Sequence, residues 1–491
     1  MDQLLLNEGF PLLTVLIFLP LAGSVVLLAS PRESFARIWT LAVTALTALV
    51  SIPLLVGFDP GSASYQFAEH HSWITRLGIN YVVGVDGISI LLVLLTTLIM
   101  PFCVLASWNY IQKRVVPFMF CLLVMETAMI GVFVALDFIL FYIFWEFMLI
   151  PMYLLIAIWG GPRKVYASIK FFLYTLAGSV LLLVAIIALY LQSGSFFIPD
   201  MMWRDYSLTF QILVFLAFFL AFAIKVPMFP FHTWLPAAHV EAPTAGSVIL
   251  ASVLLKMGTY GLVRFCLPIT PDATMQLAMP ILWLSIAGII YGGFTALAQQ
   301  DMKKLIAYSS VGHMGFVTLG IFVLNTRGVE GAILQMINHG VTTGALFLCV
   351  GMIYERTHSR DLALATGIGR YMPWYVTFLA LFSLSSFGFP GTNSFIGEFL
   401  VLAGTFERNI ILALAAIPGA VLAAAYMLRM LQKMVWGGTA NPDQSYLTDL
   451  TVREIAVLAP FLLFVLWIGL GPEPFLNLMH TSVAQLLDQL H

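Results

Sequence analysis

Long apolar runs alternate with short polar connections along almost the whole chain. A helix that crosses a bilayer needs about 20 consecutive, mostly apolar residues. Fourteen segments meet this requirement, and the pattern therefore predicts an all-α integral membrane protein with 14 transmembrane helices. The predicted spans are 10–29, 38–57, 86–107, 115–134, 138–159, 168–191, 209–236, 243–265, 276–298, 303–325, 331–354, 373–407, 409–434 and 454–471.

Two of these segments carry helix-breaking residues in their interior. The seventh contains Pro227 and Pro230, and the twelfth, which is too long for one span, contains Pro390 followed by Gly391. Proline removes a backbone donor and clashes with the preceding turn, so it interrupts a helix. We therefore expect helices 7 and 12 to be discontinuous.

The spacing of the two broken helices predicts an internal repeat. They are five helices apart, and an odd number places their units in opposite orientations across the membrane. Helices 4–8 (115–265) and helices 9–13 (276–434) would form two inverted repeats, with helices 1–3 (1–114) and helix 14 with the C-terminal tail (454–491) outside them. Interrupted helices at matching positions of two such halves point to a transport pathway.

The basic residues give the orientation of the spans. Loops after odd-numbered helices hold fourteen of them, whereas loops after even-numbered helices hold five: Arg76, Arg204, Arg264, Arg327 and Arg408. The positive-inside rule then places the odd loops in the cytoplasm and both termini on the opposite side of the membrane. The first apolar segment has no basic leader and is expected to be a permanent helix.

Composition excludes several classes of protein. Hydrophobic residues make up 61% of the 491 residues and charged residues 9%, too few charges for a soluble protein of this size. The net charge of −2 gives no nucleic-acid footprint. The four cysteines form no C-x-x-C pair and no phosphate-binding glycine loop is present, so we expect no metal or redox cofactor in this chain.

A small set of ionisable residues falls well inside the predicted spans. A charge at bilayer depth costs several kcal/mol and usually marks function. Burial disfavours the charged form of a lysine and a nearby carboxylate restores it, while histidine titrates near neutral pH, so such groups suit proton transfer. The residues are Glu126, Glu146, Lys225, Lys256, His313, His339 and Glu398.

Structural roles for the same residues stay open at this stage. Buried ion pairs can simply join helices. His313 and His339 can be core histidines rather than relays, and Glu126 fits either role. His232 and His239 flank Pro236, and with Glu241 they suggest a metal site, although the broken helix and the absence of cysteine favour water access. Acidic residues near helix starts are interpreted as caps or rim charges: Asp86, Asp137 and Asp301.

Several long motifs carry a family resemblance. They include FWEFMLIPMYLL at 144–155, KFFLYTLAGS at 170–179, KVPMFPFHTWLP at 225–236, AHVEAPT at 238–244, DMKKLIAYSSVGHMG at 301–315, GFPG at 388–391 and FIGEF at 395–399. Together they resemble the antiporter-like membrane subunits of respiratory complex I, the proton-pumping NADH:quinone oxidoreductase. Within this family, the resemblance implies a subunit other than the sister with a long lateral helix, because Glu398 stands where that sister has a lysine and only about 20 residues follow the last predicted span.

The resemblance implies a role for each matched residue. Glu146 and Lys225 would be the coupled pair of the input half-channel, Lys256 the central proton carrier, and Glu398 the start of the outlet. His313 and His339 would lie on the hydrated axis between Lys256 and Glu398. Protons would move from cytoplasm to periplasm, driven by quinone reduction elsewhere in the complex.

The resemblance also implies partners and alternatives. Other membrane subunits of the complex, including neighbouring antiporter-like ones, would contact the chain within the lipid bilayer. NADH, FMN, iron–sulfur clusters and quinone would belong to partner subunits, and the chain would be enzymatic only as part of the translocase. The alternatives are a subunit of a related multi-subunit cation/proton antiporter, and a scaffold whose charges only hold helices together.

Overall fold

A computed structural model describes residues 4–6, 9–29, 32–363, 367–436 and 447–490. Residues 1–3 and 491, which belong to the terminal units predicted above, lie outside the described residues. In the described part, twelve helices are long and apolar enough to cross a membrane. A shorter apolar helix precedes them. The chain is therefore a mostly helical membrane protein.

The helices follow the predicted apolar runs closely. Their bounds are α1 Leu12–Leu28, α2 Glu33–Gly57, α3 Ile90–Tyr110, α4 Val115–Val134, α5 Phe138–Trp159, α6 Lys164–Ser193, α7 Leu208–Lys225, α8 Trp234–Glu241, α9 Thr244–Ile269, α10 Pro271–Leu297, α11 Met302–Phe322, α12 Thr326–Thr357, α13 Pro373–Ser386, α14 Asn393–Arg408, α15 Ile410–Trp436, α16 Val452–Leu470 and α17 Glu473–Asp488. One-turn helices lie at Thr75–Leu77, Ile198–Met201 and Ile368–Arg370.

Two helices form the centre of the molecule. The apolar windows of α9 and α12 are entirely buried, and the two helices pack against each other. Peripheral helices such as α2 and α6 expose large apolar side chains, among them Val56 and Leu191. A soluble protein would bury these side chains, whereas a membrane protein presents them to lipid. Polar residues on α9 and α12 are therefore held far from the lipid-facing surface.

Both runs with internal prolines are interrupted. The first stops at Lys225 and resumes at Trp234, and the second stops at Ser386 and resumes at Asn393. In the first break the Trp234 indole donates to the Ile224 carbonyl at 2.7 Å, which satisfies a backbone group that the break frees. In the second, Gly388 and Gly391 adopt positive φ, a conformation that favours glycine.

The all-α prediction is wrong in one region. Strand β1 (Leu4–Leu6) pairs in parallel with β2 (Tyr65–Ile74), which forms an antiparallel hairpin with β3 (Ile79–Val85). The hairpin lies between α2 and α3, where the helical period is absent and β-branched residues are frequent. Glu69 on β2 accepts a hydrogen bond from the Leu13 amide at 2.7 Å and thereby caps α1.

Three predicted boundaries also need correction. Helix α3 begins at Ile90 rather than at 86, because a turn that starts at Asp86 precedes it. Helix α9 runs to Ile269, so Arg264, predicted as a loop residue, lies inside the helix and is buried. The tail after the last predicted span forms the helix α17.

The interpretation of the acidic caps is confirmed for two residues. The Asp137 carboxylate accepts from the amides of Ile139 and Leu140 at the start of α5, and Asp301 does the same at the start of α11. Burial raises the pKa of Asp137 to about 6, while the amides that it accepts from oppose this. These caps fix where α5 and α11 begin, and both helices carry candidate site residues.

Candidate functional site

Lys225 is the last residue of α7, at the edge of the first break, and it is 2% exposed. Its Nζ lies 3.8 Å from the Met148 sulfur and 4.6 Å from the centre of the Trp145 ring. Both contacts come from α5, the helix that also carries Glu146. The lysine therefore faces α5, as the predicted pair requires.

Glu146 and Lys225 are nevertheless not in contact in this structure. No ion pair within 4.0 Å joins them, and one Glu146 carboxylate oxygen is buried without a hydrogen-bond partner. Lys225 thus contacts the residues on either side of Glu146 on α5, without an ion pair to Glu146 itself.

Lys256 occupies the middle of α9 and is completely buried. Its Nζ donates to the Ala251 carbonyl at 2.5 Å and lies 2.6 Å from Nδ1 of His339. Residues Leu250–Leu254 form a π-helical stretch, which leaves carbonyls of that turn available to side chains. This local distortion gives the lysine an acceptor inside a helix that would otherwise offer none.

A line of titratable side chains continues from Lys256. The rings of His339 and His313 are 5.9 Å apart, and His313 Nδ1 lies 2.8 Å from a Glu398 oxygen. The order in space is Lys256, His339, His313, Glu398, contributed by α9, α12, α11 and α14. Each member is at least nine-tenths buried, so each proton transfer along the line would occur away from lipid and bulk water.

Polar side chains contact Glu398 and His313 near the second helix break. Gln335, one turn before His339 on α12, donates to Glu398 at 3.1 Å. The second nitrogen of His313 lies 3.4 Å from the Ser386 hydroxyl and 3.3 Å from the Tyr426 hydroxyl. Ser386 is the last residue of α13, so the interruption of the helix places its hydroxyl beside the histidine.

The surroundings of Lys225 meet those of Lys256 where α7 packs against α9. A Cβ built on Gly258 would lie 2.8 Å from Val226 Cγ2 and 3.1 Å from Lys225 Cβ, so only glycine permits this approach. Gly258 is two residues after Lys256. No hydrogen bond joins Lys225 to Lys256, so the series of direct contacts has a gap between the two lysines.

The remaining candidates are buried but stand apart from this line. Both Glu126 carboxylate oxygens lack a hydrogen-bond partner. His232 packs against Tyr291, with ring centres 4.9 Å apart, and His239 stacks on Phe347 at 4.5 Å with neither ring nitrogen bonded. His239 lies within the electrostatic range of Lys303 at the start of α11 and of Lys256.

One buried ionic group was missed from the sequence. Arg264 on α9 bonds Asp86 at 2.5 Å, the Tyr65 hydroxyl at 3.1 Å and the Tyr260 hydroxyl at 3.2 Å. Burial raises the pKa of Tyr65, which keeps this phenol neutral. The pair joins α9 to the turn before α3, and a cavity of about 70 Å³ lies beside it. Arg264 lies at the very end of the predicted span 243–265, and for this reason it was counted with the basic residues of the following loop.

Several other residues that contact the candidate site could not be recognised from the sequence. Only the folded structure shows that ordinary residues of membrane helices contact Lys225, Glu398 and His313; they are Trp145, Met148, Gln335 and Tyr426. The described residues contain no group of three or more His, Cys, Asp or Glu side chains able to hold a metal ion. What the arrangement offers chemically is acid–base transfer between adjacent buried groups.

Comparison with known proteins identifies the family. Residues 135–423 match the family described as "NADH:quinone oxidoreductase/Mrp antiporter, TM", and residues 15–132 match "NADH-ubiquinone oxidoreductase chain 4, amino terminus". NADH-quinone oxidoreductase subunit M of Rhodobacter capsulatus is 48% identical, with 98% of this chain and 97% of the relative covered.

Solved structures agree with this assignment. A chain of respiratory complex I from Thermus thermophilus has a TM-score of 0.90 at 30% identity, covering 98% of this chain and 100% of that one. A chain of the Mrp complex from Dietzia sp. has a TM-score of 0.87 at 19% identity, covering 97% of both, which indicates a common fold. The chain belongs to the subunit M (chain 4) family of NADH:quinone oxidoreductase, the antiporter-like, proton-translocating membrane subunits of respiratory complex I.

Proposed function

We propose that this subunit carries protons from the cytoplasm to the periplasm along Glu146, Lys225, Lys256, His339, His313 and Glu398. The observation that supports it most is the contiguous line from Lys256 to Glu398, in which ionisable groups from four helices meet in the apolar centre of the molecule. Burying four such groups in the apolar centre of a membrane protein is costly, and residues of this kind usually mark function. Glu126, His232 and His239 would serve as accessory relay or water-access residues.

The Glu146–Lys225 pair would control entry. When the pair closes, the carboxylate stabilises the protonated lysine. When it opens, the lysine loses that support and releases its proton across the gap toward Lys256. A change of charge or geometry in a neighbouring subunit would open and close the pair.

The architecture proposed for this mechanism has fourteen crossings. They are the twelve long apolar helices, the shorter helix α1, and one crossing formed by α13 and α14 together. The breaks would occupy equivalent positions in inverted repeats 115–265 and 276–434. Both termini would then face the periplasm of a bacterial inner membrane, in accordance with the distribution of basic loop residues.

The energy would come from other subunits. NADH, FMN, iron–sulfur clusters and quinone would bind to partner chains of the complex, among them neighbouring antiporter-like subunits in the membrane. The alternative function is that of a cation/proton antiporter subunit, because the chain shares its fold with a chain of the Mrp complex. Co-purification of this chain with NADH-oxidising subunits supports complex I, whereas isolation with antiporter subunits alone supports the alternative.

Replacement of the entry pair tests the proposal. We expect Glu146→Gln and Lys225→Met to abolish NADH-driven proton pumping in membrane vesicles while leaving the complex assembled on native gels. Glu473→Gln, at an exposed acid in the first turn of α17, is the matched control and should pump normally. Full pumping by the assembled Glu146→Gln complex would refute the proposed entry pair, and loss of stability with normal transport in Lys225→Met would favour the scaffold.

A further inference from the structure

The geometry points to Trp145 and Met148 as positioning residues that hold the protonated Lys225 when its pair with Glu146 is open. This inference rests on the proposed function and specifies what the lysine binds in its second position. The Lys225 Nζ has the Trp145 ring centre at 4.6 Å and the Met148 sulfur at 3.8 Å. An aromatic face attracts an ammonium group, and the attraction is stronger where water is excluded.

The tryptophan ring is fixed in place by its own partners. Its Nε1 donates to the Ser179 hydroxyl on α6 at 2.9 Å, and its edge packs against Phe222 on α7 with ring centres 5.6 Å apart. Trp145 is 1% exposed and has no room to turn away. The face that meets Lys225 is therefore a permanent part of the site, whatever the position of the lysine.

Both positions of the lysine lie on one stretch of α5. Glu146 follows Trp145 directly, and Met148 lies three residues after Trp145, so the carboxylate and the Trp–Met surface are neighbours around the same turn. The helix is locally irregular at Met148, three residues before Pro151, a residue that cannot donate a backbone hydrogen bond. A small movement of α5 against α7 would exchange one partner of Lys225 for the other.

Trp145 therefore affects the proton affinity of Lys225 when the pair with Glu146 is open. The ring face favours the ammonium form over the neutral amine, so it opposes the apolar surroundings. Glu146 is the charged group that acts on Lys225 from the packed helices. With the ring absent and the pair open, the lysine would release its proton at a lower pH than in the native protein.

The test measures protons pumped per NADH oxidised as a function of pH, using the assembled complex in vesicles. In Trp145→Leu we expect the alkaline limb of this profile to move to lower pH by roughly one unit, and in Trp145→Phe, which keeps a weaker face, by less. Met148→Leu should move it slightly in the same direction. Phe141→Leu is the matched control, since Phe141 packs on Trp145 from one turn earlier, and it should leave the profile unchanged.

Each outcome decides the inference. A native profile in Trp145→Leu overturns it, and if that variant fails to assemble, native profiles in both Trp145→Phe and Met148→Leu overturn it. An equal shift in Phe141→Leu also overturns it, because general packing would then be the cause. Failure of the underlying function is distinguishable, since Glu146→Gln would then pump fully whatever the tryptophan variants do.

Discussion

At the scale of single residues, the buried charges divide by their partners. Lys256, His339, His313 and Glu398 face other titratable groups, and this suits proton exchange. Arg264 instead has its guanidinium occupied on three sides by Asp86, Tyr65 and Tyr260. An arginine stays protonated at all relevant pH values, so this second group is suited to holding helices rather than to carrying protons.

The Arg264–Asp86 pair should therefore be measurable as stability. In Arg264→Gln the Asp86 carboxylate stays buried without its counter-charge, and we expect a loss of about 3–5 kcal/mol, seen as a lower melting temperature of the purified complex. Adding Asp86→Asn removes the unpaired charge and keeps an acceptor for the Ile88 and Ser89 amides, so the double variant should regain part of the loss. Equal melting temperatures for Arg264→Gln and the native complex would contradict this role.

At the scale of elements, the proline pattern was enough to predict where two helices break, because proline acts through local backbone geometry. The hairpin of β2 and β3 was missed because it depends on pairing between strands and on the cap that Glu69 gives to α1. The π-helical stretch at Leu250–Leu254 was also unpredictable, since its carbonyl acceptor matters only once Lys256 is folded beside it.

Close packing of α7 on α9 should depend on Gly258. In Gly258→Ala the new Cβ would meet Val226 at 2.8 Å and the Phe222 carbonyl at 2.9 Å, so the helices must separate, at a cost of about 1–3 kcal/mol. Gly288→Ala on α10 is the matched control, because its nearest neighbour, Phe229 Cβ, would lie at 3.6 Å. We expect a lower melting temperature and weaker pumping only in Gly258→Ala; identical behaviour of the two variants would count against this packing argument.

The second break offers a similar comparison. Gly388 and Gly194 have the same φ of +73°, so alanine should strain both backbones by about 1–2 kcal/mol. A Cβ at Gly388 would lie 3.3 Å from a Glu398 oxygen, whereas nothing lies within 4 Å at Gly194. We therefore expect both variants to lose similar stability, measured by thermal unfolding, but only Gly388→Ala to lose proton pumping. Equal proton pumping in the two variants would show that the space beside Gly388 is not needed for proton transfer.

At the scale of the whole molecule, the hydropathy pattern and the motifs were enough to predict the family and the set of candidate residues. The resemblance implied that His313 and His339 lie between Lys256 and Glu398. The individual contacts could not be predicted from the sequence, because helix packing joins residues 83 and 85 positions apart. The separation of Glu146 from Lys225 could not be predicted either, since the same two residues are compatible with an open or a closed pair.

The proposed orientation can be tested by labelling from either side of the membrane. Lys113→Cys, in the connection between α3 and α4, should react with an impermeant maleimide only from the cytoplasm, and Arg76→Cys, beside the hairpin turn, only from the periplasm. Background should be low because all four native cysteines are buried. Reaction of both from the same side would overturn the predicted topology.

The central claim is that protons pass through the buried line that begins at Lys256. The most direct measurement is the number of protons pumped per NADH oxidised by the reconstituted complex carrying Lys256→Met, a substitution of similar length without an amine. Lys433→Met, which removes an amine bonded to Gln300 at the surface, is the control. We expect this ratio to fall in Lys256→Met, because the proton-transfer group is lost, and to be unchanged in Lys433→Met. A native ratio in an assembled Lys256→Met complex would contradict the account.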